Sequence, residues 1–157
     1  MTYLDIVNNV LRRLREDTVS DITETTYSTM VGDFVNDAKK FCEDSWDWSA
    51  LRTDITVTTS SGTSSYSLTN SGENTKVLHA LNDTKNWFME YQTQKWFADK
   101  YSIATPADGS PNYYTFDGID SSDDTKVKLY PKPNATESVV FTVIKKPVAL
   151  SAKTDTM

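Results

Sequence analysis

Three strand-length runs in the last third of the chain, "PNYYTFDG", "KVKLYPKP" and "SVVFTVIKKPVAL", constrain the fold more than any other feature. Each is rich in Val, Phe, Tyr and Ile, and each closes on or near a Gly or Pro, which breaks extended geometry or withholds a ladder donor. Joined by short polar stretches, they predict an antiparallel meander. Upstream, the hydrophobic period is helical, so the expected class is α+β: N-terminal amphipathic helices packed with an antiparallel β-sheet or sandwich-like part carrying one short inserted helix.

The helices are legible from period and capping. Thr2 with Asp5 three residues on is a variant capping box, opening a helix from about Tyr3 to Arg15. Tyr3, Leu4, Ile6, Val7, Val10, Leu11 and Leu14 share an arc of roughly 160°, while Asp5, Asn8, Asn9, Arg12, Arg13 and Arg15 fill the rest. So wide an arc either sinks the helix deeply in its own core or leaves an edge for another subunit, with Ile6, Val10 and Arg13 at that edge. The connection Asp17 to Thr26 has no Gly or Pro and is compatible with partial helix. A second helix follows, with Tyr27, Met30, Val31, Phe34, Val35, Ala38, Phe41, Cys42 and Trp46 on one face. Asp33, Asn36, Asp37, Lys40, Glu43 and Asp44 form its solvated face.

After "WDWS" the period becomes alternating. Leu51, Thr53, Ile55, Val57 and Thr59 form one side of a strand, "SSGTSS" turns the chain, and "YSL" is expected to begin its hairpin partner. "NSGEN" reads as a loop, and "KVLHAL" and "NWFMEY" pair across "NDTK". "QTQKWFADKY", about 92–101, reads as a short helix with Trp96, Phe97 and Tyr101 within reach of one another, and "SIATPADGSPN" as a loop. The 157 residues suit one domain, with a helical part over 2–48, a β part over 51–146 and a C-terminal extension over 147–157.

Charge narrows the partners. Met1 to Ala50 carries five Lys/Arg against ten Asp/Glu, whereas the remainder is nearly balanced at eleven against twelve. An acidic helical half is unsuited to gripping a phosphate backbone, although a duplex can slide past it. No run reaches the apolar length of a membrane span, and the N-terminus lacks the continuous apolar stretch of a signal peptide, so a cytosol-like compartment is expected. Cys42 has no partner for an internal disulfide, and the lone His79 cannot build a multi-imidazole site.

Catalytic constellations are absent from the sequence. His79 alternates between Leu78 and Ala80 in a predicted strand, where a structural role is expected. There is no phosphate-binding Gly loop, H-E-x-x-H or C-x-x-C, and no cofactor is implied. Asp117, Asp120, Asp123 and Asp124 in "DGIDSSDD" are the best candidate for a hard-cation cage, but they lack the alternating Asp/Asn ligands, internal glycine and distal glutamate of a calcium loop and read as a solvated hairpin tip. Asp54, Glu90 and Asp99, with Trp87 and Trp96, could flank a glycan cleft, so a glycan-binding β module stands as the alternative function.

Read in order, "VNDAKKF" with "WDW", then "YSL", "SPNYYTFDG", "KLYPKPN" and "FTVIKKPVAL" resemble the head-to-tail adaptor, or connector, proteins of short-tailed and related tailed bacteriophages. The matching positions include Asn36, Ala38, Tyr66, Pro111, Tyr114, Gly118, Leu129, Pro131, Pro133 and Pro147, all structural in character, with Trp46 and Trp48 expected to seal a helix–sheet joint. The resemblance implies a non-enzymatic virion protein at the neck, assembled in the host cytoplasm. It would form a ring of identical subunits, commonly about twelve, under the portal protein and above the tail nozzle. DNA would pass through the lumen without specific binding, and no membrane is involved. Two departures are visible. Thr69 stands where relatives often place proline after Y-x-L, and relatives continue into further helices where this chain stops at Met157, which implies either a shortened chain or missing ring contacts.

Overall fold

The computed structural model describes residues 1–72 and 75–156. Two compact units are formed, one from Met1–Asp47 with Pro147–Met157 and one from Trp48–Lys146. The C-terminal segment is therefore part of the helical unit.

In the helical unit, α1 (Tyr3–Arg13) starts at the expected capping box: the Thr2 hydroxyl accepts from the Asp5 amide, and the Asp5 carboxylate accepts from the Thr2 amide. The connection to α2 (Thr26–Asp44) contains turns and no helix. Local side chains explain this. Glu24 accepts from the Ser20 and Asp21 amides, and the Asn8 carboxamide pairs with both the N–H and the C=O of Val19, which satisfies backbone groups that a helix would otherwise use. The core of this unit is a stripe of Tyr3, Val7 and Leu11 packed with Ile22, Val31 and Leu150. Gly32 permits the close approach of the two helices, since a Cβ there would lie 2.6 Å from the Tyr3 hydroxyl oxygen.

The second unit is one seven-stranded sheet with the order β1-β7-β3-β4-β5-β6-β2. Its strands are β1 (Arg52–Thr58), β2 (Ser65–Ser67), β3 (Lys76–Asn82), β4 (Trp87–Tyr91), β5 (Tyr113–Ile119), β6 (Thr125–Tyr130) and β7 (Ser138–Ile144). A helix, α3 (Gln94–Ala98), continues into a π-helical turn over Asp99–Ile103. The expected β3–β4 hairpin forms across residues 83–86, and so does the aromatic cluster, with Trp96 and Phe97 centroids 5.3 Å apart and Phe97 stacked on Tyr101 at 6.1 Å. The "NSGEN" loop is described only as far as Gly72; its last two residues lie outside the described ones.

Two expected pairings are replaced, and one neighbouring pair departs from the antiparallel pattern. β1 and β2 form no hairpin: β1 pairs with β7 and β2 with β6. β5 and β6 pair as expected, but β7 does not extend them into a meander and lies between β1 and β3. β7 buries Val139, Phe141, Val143 and Ile144 almost completely, so it belongs in a sheet interior with a long partner on each side, while both edges of β6 are already occupied by β5 and β2. Finally, β4 and β5 are parallel, which makes the sheet mixed. Parallel neighbours need a long crossover, and residues 92–112, containing α3, provide it.

The sheet must curl. Its two edges, β1 and β2, are joined by residues 59–64 only. Six flat strand spacings would separate them by about 29 Å, beyond the roughly 25 Å that so short a connector can span. The connector is further folded by the Tyr66 hydroxyl, which accepts from the Ser60 amide and donates to the Thr63 carbonyl, so the strands coil toward closure around Leu68, Val127, Leu129, Val139 and Phe141.

Candidate functional site

Among the described residues, a wide apolar groove lies in the helical unit. On α2, the positions turned inward are Ser28, Val31, Gly32 and Lys39. Most of the apolar face expected from periodicity is instead exposed, with Phe34 at 61% and Phe41 at 76% exposure. The reason lies in the packing of α1, whose Tyr3 reaches α2 at the small residue Gly32 and so leaves the aromatic side uncovered. The result is an open groove of about 400 Å³, walled by Ile6, Val10 and Leu14 of α1 and by Tyr27, Met30 and Phe34 of α2, with Ala38 and Cys42 at one end. Ile6 and Val10, assigned from the sequence to an outer edge, line this groove half-buried, and Arg13 is solvent-exposed on the same helix.

A polar clamp holds the unit's scaffold. The Asn36 carboxamide nitrogen donates to the Leu150 carbonyl at 3.0 Å and to the Tyr3 hydroxyl at 3.2 Å, while its oxygen accepts from the Leu150 amide at 2.9 Å. Burial, with the nearby Asp33 carboxylate second, pushes the Tyr3 phenol above its ordinary pKa. Lys39, unremarked in the sequence, is buried; its ammonium donates to the Pro147 and Val148 carbonyls, both at 3.3 Å, and pairs with Glu43 at 2.9 Å. Its partners are main-chain carbonyls more than a hundred residues away; no residue type near position 39 could have announced them. The unit carries six Lys/Arg against eleven Asp/Glu. The apolar groove therefore belongs to a unit of net negative charge.

The other sequence candidates have separate places. Trp46 is 71% exposed at the end of the helical unit; Trp48 is also exposed and precedes a 3₁₀ turn at Ser49–Leu51 in the sheet unit. Tyr114 and Leu129 are core residues, Pro111 and Pro133 are buried, and Pro131 is half-buried. Gly118 adopts φ 86° at the irregularity between Phe116 and Ile119, a backbone state that favours glycine.

Asp117, Asp120, Asp123 and Asp124 do not converge on a common point. Asp117 accepts from the Ser65 hydroxyl, Asp120 from the Ser122 and Asp124 amides, and Asp124 from the Asn70 and Gly72 amides. Asp124 is buried, which corrects the expectation of a fully solvated tip. A hydrogen bond from Ser67, followed by those amides, holds the Asp120 carboxyl below its ordinary value. Among the described residues no three His, Cys, Asp or Glu side chains are placed to hold a metal ion.

Asp54 is on β1 and accepts from the Thr142 hydroxyl, while Glu90 is on β4, three strands away in the sheet. At about 4.8 Å per strand that is roughly 14 Å, wider than the separations of about 5–9.5 Å used by paired glycosidase carboxylates. Asp99 begins the π-helical turn after α3. His79 is exposed on β3 and meets the Phe88 ring edge-on at 5.6 Å.

An acidic helical unit with an exposed apolar groove, joined in sequence to a tightly cored sheet, has the character of a structural subunit. The chain belongs to the SU10 adaptor protein family, whose profile matches residues 1–157. It is thus a bacteriophage adaptor, a structural component of the virion. No curated protein and no solved structure matches it. None of the described helices is long and apolar enough to cross a membrane.

Proposed function

We propose that this adaptor works at the head-to-tail junction of a short-tailed or related phage, as a closed ring of identical subunits, commonly about twelve, between portal and tail nozzle. The observation that carries this reading is the apolar groove between α1 and α2, with Phe34 in its wall left largely in water and Phe41 exposed on the same helix. Exposed apolar surface of this kind on a stable subunit calls for a protein partner, and a neighbouring copy in a heterologous ring would cover it in every subunit at once. The acidic character of the helical unit fits a lumen through which DNA slides without being held.

Acidic neighbours repel one another, so the free ring is marginal at low salt, and a portal ring templates assembly by raising the local concentration of subunits. Negative-stain microscopy and analytical ultracentrifugation of the protein with and without its cognate portal test this. Monomer alone and complete rings with portal are expected. Failure to bind the portal, or a monomer that shifts only with polysaccharide, would transfer the function to the glycan-binding alternative.

A further inference from the structure

We propose that the open edge of β1 receives an extended, acidic segment of a partner protein as an added strand, with Lys145 binding one of its carboxylates. This concerns the sheet unit and stands apart from the groove between α1 and α2.

The hydrogen-bond register identifies the free groups. Lys145 donates its amide to the Leu51 carbonyl, and Thr59 donates its amide to the Glu137 carbonyl. Both contacts continue the register of β1 with β7, in which Arg52 faces Ile144 and Thr58 faces Ser138. In an antiparallel ladder, hydrogen-bonded and non-hydrogen-bonded pairs alternate. Thr53, Ile55 and Val57 therefore direct their main-chain groups to β7, and Asp54 and Thr56 direct theirs outward. Among the described residues no strand pairs on that outward side.

Exposed edges are normally blunted by charged side chains, proline, a bulge or a very short strand, and of these β1 has only the charges of Arg52 and Asp54. β2, the opposite edge, has only three residues. β1 has seven, with no proline and a continuous register with β7. Beside it is a polar slot of about 340 Å³, lined by Thr53 to Thr56, by Thr69 and Asn70, and by Lys145. An added strand would satisfy the outward groups of β1 and lie in this slot.

Charge selects the occupant. Lys145 is half-buried, and its ammonium has no hydrogen bond or ion pair among the described residues. It lies opposite Leu51, which places it on the face of Thr53 and Ile55. The nearest acid on the strand, Asp54, is on the other face and is engaged by the Thr142 hydroxyl. A carboxylate on the incoming segment would complete Lys145, because a partly desolvated cation gains from a direct partner.

The test uses the full chain and overlapping synthetic peptides that cover the other structural proteins of the virion and this chain itself. At least one acidic peptide from another virion protein should bind, slowing amide exchange at Asp54 and Thr56 while leaving Thr53 and Ile55, already bonded to β7, unchanged. Thr56→Pro removes one outward donor and leaves the β7 ladder intact, so it should weaken binding by about tenfold, the equivalent of one good hydrogen bond. Lys145→Gln should weaken it by about fivefold, and only for peptides whose carboxylate is retained. The exchange pattern of the unaltered chain stands as a test even if Thr56→Pro folds poorly. Finding no peptide whose binding slows Asp54 and Thr56 exchange would overturn the proposal. So would a dimer in solution, dissolved by Thr56→Pro and matched only by the peptide from this chain's own Arg52–Thr58, since that would assign the edge to a second copy.

Discussion

Replacing Asn36 with alanine should release the C-terminal segment from the helical unit and lower that unit's stability substantially. The side chain makes three hydrogen bonds, of which two, to the amide and carbonyl of Leu150, form a reciprocal pair. Leu150 itself is buried, so water cannot fully replace either partner. Each hydrogen bond contributes about 1 kcal/mol net, and stranded main-chain groups add to the cost, giving a destabilisation of roughly 2–4 kcal/mol. For a unit of this size, that is a fall in Tm on the order of 10–20 °C. Far-UV circular dichroism would follow the melt, and amide exchange would follow Tyr3 and Leu4, whose amides donate to the Asp155 and Lys153 carbonyls. Protection at these two amides should fall together with that at Leu150. A Tm within about 2 °C of the parent, with exchange over 147–156 unchanged, would refute the reasoning and leave Leu150 burial and the Lys39 contacts as the forces holding the segment.

Gly32→Ala should destabilise the helical unit by roughly 1–3 kcal/mol through its clash with the Tyr3 hydroxyl; Tyr3→Phe removes the atom that is 2.6 Å away and should recover part of the loss in a double-mutant cycle. Ile6→Lys, at the half-buried wall of the groove, should leave the monomer's melting curve close to the parent's while preventing association, because an unpaired lysine is far costlier in an interface than in water; simple unfolding would instead mark Ile6 as core. In acid the helical unit should open before the sheet. Main-chain and hydroxyl donors hold Asp5, Asp21, Glu24 and Asp155 of the helical unit below their ordinary values of 3.8 for Asp and 4.5 for Glu, and act likewise on Asp120 in the sheet unit. A carboxyl with a lowered folded value stabilises above its ordinary value and loses that contribution as pH falls through the lowered one. Exchange protection in the helical unit should therefore decline below about pH 4.5, ahead of that around β7, and a reversed order would contradict this. At the alkaline end, Tyr101 is pushed up to about 12, chiefly by burial, while its hydroxyl donates to the Leu129 carbonyl. Its contribution is present below the ordinary value of 10.0 and is lost as pH rises toward 12, so Tyr101→Phe should flatten the alkaline loss of stability.

Local chemistry alone determined where the elements lie. The Thr2–Asp5 box, the 3.6-residue period of α1 and α2, the aromatic helix around Trp96 and the alternating strands were all legible, because each rests on neighbours within a few residues. The helical face that resembled a core was visible too, but its exposure was not: periodicity reports that a face is apolar, and only packing decides whether anything covers it. Strand partners were beyond local reach for the same reason. β1 and β6 alternate, β7 is nearly continuously apolar, and their order follows from burial on both faces of β7 and from a crossover containing α3, which are properties of the whole sheet. Lys39 and Asn36 make the point most sharply, since each gains its role from main-chain groups more than a hundred residues away in sequence, brought within hydrogen-bond distance only by the tertiary structure.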